Sequence, residues 1–188
     1  MTAELVEIPG YVAGTWTIDP VHSDVGFVVR HAMVSKVRGH FTKFEGRIVT
    51  ADDLLESTVT ATIDLASIDT SNQQRDDHIR SADFFEVEKH PTMTYRSTGI
   101  RRDGGDLVLD GELTLKGVTR SVPLTLEVGG FGPDPAIEGG ARAGFTATGQ
   151  INRSDFGIGF NMSIPGGVMV SEKVQIVLEI EASLDTGA

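Results

Sequence analysis

Almost the whole chain is written with a period of two. Val59, Ala61, Ile63 and Leu65 alternate with Thr58, Thr60, Thr62 and Asp64, and side chains at that spacing stand on opposite faces of a pleated strand, one buried and one wet. Threonines on the polar face add β-branched bulk that suits a strand. The same alternation runs through Leu107, Leu109, Leu113 and Leu115, resumes at Val122, Leu124, Leu126 and Val128, and predicts a hairpin turning on Lys116-Gly117. Pro123 lies inside the return run. It has no N–H to offer, so that strand is expected at an edge or bulged there. Met93 and Tyr95 within 92–97, Ala143, Phe145, Ala147 and Ile151 within 143–151, and Val174, Ile176, Leu178 and Ile180 within 174–182 continue the pattern. With the N-terminal strands the total reaches about eight or nine, spaced as in an antiparallel sandwich or barrel.

Residues 14–41 set this alternation among histidines and glycines. Val25, Phe27, Val29 and His31 share one face, with Gly26, Val28 and Arg30 on the other. An apolar row thus ends in an imidazole, which suits a ligand with a greasy body and a polar end. One segment breaks the period. In residues 72–85 helix formers follow a capping Asn72 or Ser71, and Pro91 lies beyond, predicting a short helix with a turn behind it. Its apolar groups, Ile79, Phe84 and Phe85, are enough to cover a barrel end as a lid but not to form a core. Residues 129–140, rich in glycine and carrying Pro133 and Pro135, read as a flexible loop.

The 188 residues fit one domain that folds without staples. It spans residues 14–184, after an extension of residues 1–13 and before a tail of residues 185–188. The chain has no cysteine, which excludes disulfides and thiolate metal sites and suits a reducing compartment. The first residues carry Glu4 and Glu7 without a basic region, so no secretory signal is visible and a cytoplasmic location is expected. No apolar run approaches the roughly 20 residues of a spanning helix, and direct membrane insertion is not expected. A net charge of −11 argues against nucleic acid and would repel anionic lipid surfaces. Arg101-Arg102, and Lys36 with Arg38, read as solvated loop charges.

Several motifs occur in one order along the chain. They are Trp16-Thr-Ile-Asp-Pro-Val-His-Ser, Val25-Gly-Phe-Val-Val-Arg-His, Val37-Arg-Gly-His-Phe, Ser67-Ile-Asp-Thr, Arg75-Asp-Asp-His-Ile, Asp83-Phe-Phe and His90-Pro. Gly111-Glu-Leu-Thr-Leu-Lys-Gly-Val-Thr-Arg, Arg153-Ser-Asp-Phe-Gly and Val174-Gln-Ile-Val-Leu-Glu-Ile-Glu-Ala follow. Together they closely resemble the YceI family of polyisoprenoid-binding, lipocalin-like proteins. The resemblance implies an all-β fold, an extended antiparallel barrel of about eight strands with a short helix capping one end. It also implies a polyisoprenoid or isoprenoid quinone held inside for sequestration, storage or transport, with no enzyme activity, no cofactor and a homodimeric state. Small residues at Ala61, Gly111, Ala143, Gly144, Ala147 and Gly149 lie in or beside the apolar rows, and as a set with the resemblance they favour a tunnel. The expected ligand-binding residues are Phe27, Val29, Met93, Tyr95, Phe145, Phe160 and Met162 along the wall, and Ile79, Phe84 and Phe85 at the capped end. His31 and Arg38 are expected to bond turns or meet a head group.

Two readings of other classes stay open. His22, His31, His40, His78 and His90, with Asp19, Asp76 and Asp77 near in sequence, can supply a metal or acid–base site, although no metal-ligand spacing groups them. A barrel filled by its own side chains is the second. No nucleophile elbow, Walker loop or dinucleotide glycine pattern is present, and Asp155-Phe-Gly lacks the other kinase motifs.

Overall fold

The computed structural model describes residues 7–187. The first six residues, on which the reading of the N-terminus mainly rests, lie outside the described residues. In chain order the strands are β1 (Gly14–Ile18), β2 (Asp24–His31), β3 (Ser35–Phe41), β4 (Phe44–Thr50), β5 (Thr58–Asp64), β6 (Ile68–Asp69), β7 (Thr92–Asp103), β8 (Asp106–Leu115), β9 (Val118–Ser121), β10 (Leu124–Pro133), β11 (Ala141–Asn152), β12 (Ser163–Ile164), β13 (Gly167–Val168) and β14 (Lys173–Leu184). Among the described residues one α-helix, α1 (Gln73–Arg80), interrupts them, with Asn72 as its N-cap accepting from the Arg75 amide.

Eight of these strands close into an antiparallel barrel in the order β1, β4, β5, β7, β8, β10, β11, β14 and back to β1. β14 carries the closure. Residues 182–184 pair with β1, and residues 175–179 pair with β2 further along the same edge. β2 and β3 therefore prolong the wall set by β1 and β4, and β3 pairs with β6 beyond them. The threonines of β5 face water while Val59, Ala61 and Ile63 face inward, as the period of two requires.

The predicted hairpin turns at Lys116 and Gly117, both left-handed at φ 52° and 75°. That geometry matches the twist of the flanking strands. Its return strand breaks at Pro123 into β9 and β10, both beside β8. At the break the Val122 amide donates to Gly111 O over 2.8 Å, and the Tyr95 hydroxyl donates to Val122 O over 2.9 Å. The proline costs the ladder a donor, and Tyr95 supplies one from the side. The glycine-rich stretch is less of a loop than its composition predicts. β10 continues through Gly129, Gly130, Phe131 and Gly132 to Pro133, with a bulge between Val128 and Gly130, and only residues 134–140 form the connection. Gly130 takes φ 146°, which glycine adopts readily. The bulge lets the pairing resume with Phe131 in the core.

Phe131 belongs to an aromatic plug at one end of the barrel. Trp16, fully buried, meets it edge-on at 5.5 Å, Phe145 at 5.9 Å and Tyr11 at 5.0 Å. The Trp16 indole N–H donates to Thr50 Oγ1 over 2.8 Å, and that hydroxyl donates to Val12 O, so the buried polar atoms are satisfied. Tyr11, within the N-terminal extension, also donates to Ala51 O over 2.6 Å and is tied to the barrel wall. Trp16→Ala should cost about 3–5 kcal/mol in urea unfolding followed by circular dichroism. A loss under about 1 kcal/mol would mean that the plug does not close this end.

Candidate functional site

The barrel wall near the other end is built from β2, β3, β7 and β14. Phe27 points inward opposite Gly39, and Val29 opposite Val37. A Cβ at Gly39 would fall on the Phe27 ring, so glycine there lets the ring lie over β3, with the Phe41 ring 5.8 Å away. On the far wall the Tyr95 ring lies over Gly111 in the same way, with Met93 beside it on β7. Burial, with Asp110 adding, pushes the Tyr95 phenol up. It therefore stays neutral with its proton directed to Val122 O. Ile176 and Leu178 on β14 stand opposite Phe27 and Val25. Phe27, Met93, Tyr95, Ile176 and Leu178 pack against the main core, yet each keeps partial exposure.

Two polypeptide lips meet over this end. The first is α1 with the turn that follows it. Arg80 holds it, donating from Nε to Ala66 O over 2.9 Å and from Nη2 to Ile68 O over 3.0 Å. Buried Asp76 accepts from the Thr70 amide at 3.0 Å and the Thr70 hydroxyl at 2.5 Å, and Arg75 donates to the same threonine. Ile79, Phe84 and Phe85 turn inward onto the core, with Phe85 6.2 Å from Phe41. The second lip is residues 157–171. Buried Arg153 holds it by donating to Ile158 O, Phe160 O and Ser171 O at 3.0, 2.7 and 3.0 Å. Burial pulls the Arg153 guanidinium below its usual value, with Glu172 acting in the opposite sense.

Between the lips the contact is aromatic. Phe160 stands 5.4 Å from Phe84 and 4.9 Å from His78, and His78 is 5.1 Å from Phe84. Among the described residues no hydrogen bond joins the two lips. His78 Nε2 lies 2.8 Å from Asp83, within its own lip.

The structure sorts the residues expected from the sequence. Phe27, Met93 and Tyr95 stand on the inner wall, Val29 shares the face of β2 that carries Phe27, Ile79, Phe84 and Phe85 cap the wall, and Phe160 meets the cap from the opposite lip. Phe145 sits at the other end, in the Trp16 plug. His31 is exposed at the rim, where its backbone bridges Val170. Arg38 lies between inward-facing Val37 and Gly39 and so points out to solvent. Met162 is half exposed beyond the cap rather than on the wall. Gly111 and Gly149 do not open space, because Tyr95 and Leu124 occupy it, and a Cβ on Gly144 would meet nothing. Phe41, Gly39 and Arg153 also shape this end without standing among the residues expected from the sequence. Their motifs were visible in the sequence, but only the register across strands shows what each residue touches.

The histidines separate. His22, His40 and His78 face different aspartates, Asp19, Asp69 and Asp83. Asp19, His22 and Glu181 bring their ligand atoms within 4.8 Å of one another on the outer wall. A guanidinium already sits among those groups. Arg142 Nη1 donates to Asp19 at 2.9 Å and Glu181 at 2.6 Å, and its Nε stands 3.1 Å from Asp134 Oδ2, on a side chain only 1% exposed. His22 and then Arg142 hold the Asp19 carboxyl far below the usual carboxylate range, while Asp19 and Glu181 push Arg142 up.

A family model described as YceI-like domain matches residues 16–182. The chain belongs to the YceI-like family. Protein YceI of Escherichia coli is 38% identical over 174 residues, covering 90% of this chain and 87% of that protein. The crystal structure of BcnA from Burkholderia cenocepacia superposes with a TM-score of 0.74 at 25% identity, covering 87% of this chain and 98% of that one. A polyisoprenoid-binding domain from Saccharophagus degradans shares the fold at a TM-score of 0.65 and 16% identity, covering 93% of this chain and all of that one. The YceI-like motifs at Val37-Arg-Gly-His-Phe and Arg153-Ser-Asp-Phe-Gly thus supply here the seat for Phe27 and the anchor of one lip.

Because the folded Asp19 carboxyl titrates below its unfolded value, its ion pair stabilises at neutral pH and fades as acid protonates it. Arg142→Met should melt below the parent at pH 7, and the gap should narrow on acidification below about pH 4. Thermal scans across pH test this, and a gap that stays constant would mean that Asp19 is not Arg142's main partner.

Proposed function

We propose that the YceI-like barrel binds a long-chain isoprenoid lipid, a polyisoprenoid or isoprenoid quinone, and holds it for sequestration, storage or transport. The observation that carries this reading is the inner wall. An apolar side chain pointing into a filled barrel is sealed by neighbours at crystal-like density, whereas Phe27, Met93, Tyr95, Ile176 and Leu178 stay partly exposed at inward positions. An eight-stranded barrel has room for one slender ligand when its walls are not fully interlocked. The fold shared with a polyisoprenoid-binding domain favours the same class of ligand.

The energetics suit a chain rather than a compact ligand. Each buried methylene contributes about 0.8 kcal/mol, so one isoprene unit is worth a few kcal/mol and several units outweigh the ordering of a flexible tail. Polar groups near the wall are already engaged: Tyr95 bonds Val122 O, and Ser97 Oγ accepts from the Val59 amide. This favours a binding protein over an enzyme. The aromatic plug closes one end, so the ligand enters between the lips. Their anchors are charge-assisted hydrogen bonds and their seam is three rings, so the seam is the part that opens.

Organic extraction of gently purified protein followed by mass spectrometry should release a prenyl-chain lipid. An empty extract, together with no uptake of a fluorescent prenyl analogue, would leave a barrel filled by its own side chains. Phe27→Asp puts an unpaired charge on the wall and should abolish uptake in a variant that still folds; a folded variant that binds like the parent would remove Phe27 from the site. Phe84→Ala with Phe160→Ala should speed analogue release, by roughly tenfold or more if the seam gates exchange, with only a modest loss of Tm. Unchanged release with a far lower Tm would make the seam core structure.

A further inference from the structure

Charge is distributed unevenly over this acidic chain. From Val25 to Phe44 there is no Asp or Glu, while Arg30, Lys36, Arg38 and Lys43 carry positive charge and His31 and His40 stand among them. The register places Arg30 opposite Lys36 and Arg38 opposite Val28, on the outward face of the β2–β3 hairpin. Among the described residues none of Arg30, Lys36 and Arg38 has an ion-pair partner. Read along the sequence, Lys36 and Arg38 are two isolated charges; folded, they form one cationic face with Arg30.

The tip of that hairpin is apolar and exposed. Val34 is 82% and Met33 50% exposed, and Ala32 and Met33 both take left-handed φ to make the turn. The second lip adds to it. Met162 is 50% and Val168 37% exposed, the Ala32 amide donates to Met169 O over 2.8 Å, and a Cβ on Gly167 would lie 3.2 Å from Met33 Cγ. Two hairpin tips are thus stitched into one apolar ridge, flanked by unpaired cations, beside the Phe84–Phe160 seam. Exposed apolar groups clustered within a polar rim mark an interaction surface.

We infer that this ridge docks the barrel mouth onto an anionic lipid bilayer. The inference rests on the lipid-binding reading, since a long-chain lipid must leave or enter a bilayer to reach the seam. Basic residues at an anionic surface are attracted over about a Debye length, and the apolar tip sits among the headgroups. The acidic remainder of the surface is repelled, so the molecule approaches mouth first. The net charge of −11 sets the orientation and does not forbid contact.

Co-sedimentation with phosphatidylcholine vesicles, with and without phosphatidylglycerol, tests the face in the full-length protein. Each basic residue near the surface is worth about a fivefold gain in binding, so Arg30→Glu with Lys36→Glu should weaken binding to anionic vesicles by at least about tenfold. Val34→Asp should do the same, and both variants should still take up the fluorescent prenyl analogue in solution. Arg47→Glu, a charge reversal half as large on exposed β4, should bind vesicles like the parent. A parent that takes up the analogue but ignores anionic vesicles overturns the docking face and leaves the lipid reading standing; a parent that takes up no analogue overturns the reading beneath it. Equal weakening by Arg47→Glu overturns the face by reducing it to bulk charge. Absence of vesicle binding, with a dimer in sedimentation velocity that Val34→Asp dissociates, overturns it in favour of a second copy of this chain.

Discussion

The pairing of β14 with β11 on one edge and with both β1 and β2 on the other closes the sheet, and the interior exists only because of that closure. Within such a ring each strand has a neighbour on both sides, which removes the free edges of an open sheet. It also obliges inward side chains from eight strands to share one space. Where the pairing cannot be regular, side chains repair it: the Tyr95 hydroxyl serves the carbonyl stranded beside Pro123, and the Ser97 hydroxyl accepts the Val59 amide next to a bulge in β7. The wall residues are thus held in place by the same bonds that keep the ring intact.

The two ends of the ring are closed by different physics. Trp16, Phe131, Phe145 and Tyr11 seal one end with interlocked rings, and the buried indole and hydroxyl are hydrogen-bonded. The other end is covered by two segments, each fastened firmly to the barrel and loosely to the other. Arg80 and Asp76 fasten α1, and Arg153 fastens residues 157–171. A seam of Phe84, Phe160 and His78 between rigid anchors can part without unfolding either side, since dispersion between a few rings is weak beside several charge-assisted hydrogen bonds.

Charge follows the same division of labour. On the outer wall Arg142 gathers Asp19, Glu181 and Asp134, so the only convergent His–carboxylate group found among the described residues has a guanidinium as its cation. Around the mouth the β2–β3 hairpin keeps its cations unpaired and its tip apolar. One arrangement spends charge on holding strands together, and the other leaves it available to a partner.

Local alternation was enough to place most strands, the Lys116-Gly117 turn, the break at Pro123 and the Asn72-capped helix, because each depends on residues within a few positions of one another. The order of motifs was likewise enough for the family. Which residues share the interior was not legible at that range. Arg38 falls outside because Gly39 beside it faces in, Phe145 joins the plug because Phe131 reaches it across a bulge in β10, and Gly111 and Gly149 are seats for Tyr95 and Leu124 rather than openings. A period of two tells which side chains share a face of one strand. Only the closing of the ring, through pairings up to 168 residues apart such as Thr17 with Asp185, decides which faces meet, at which height, and which charges are left without a partner.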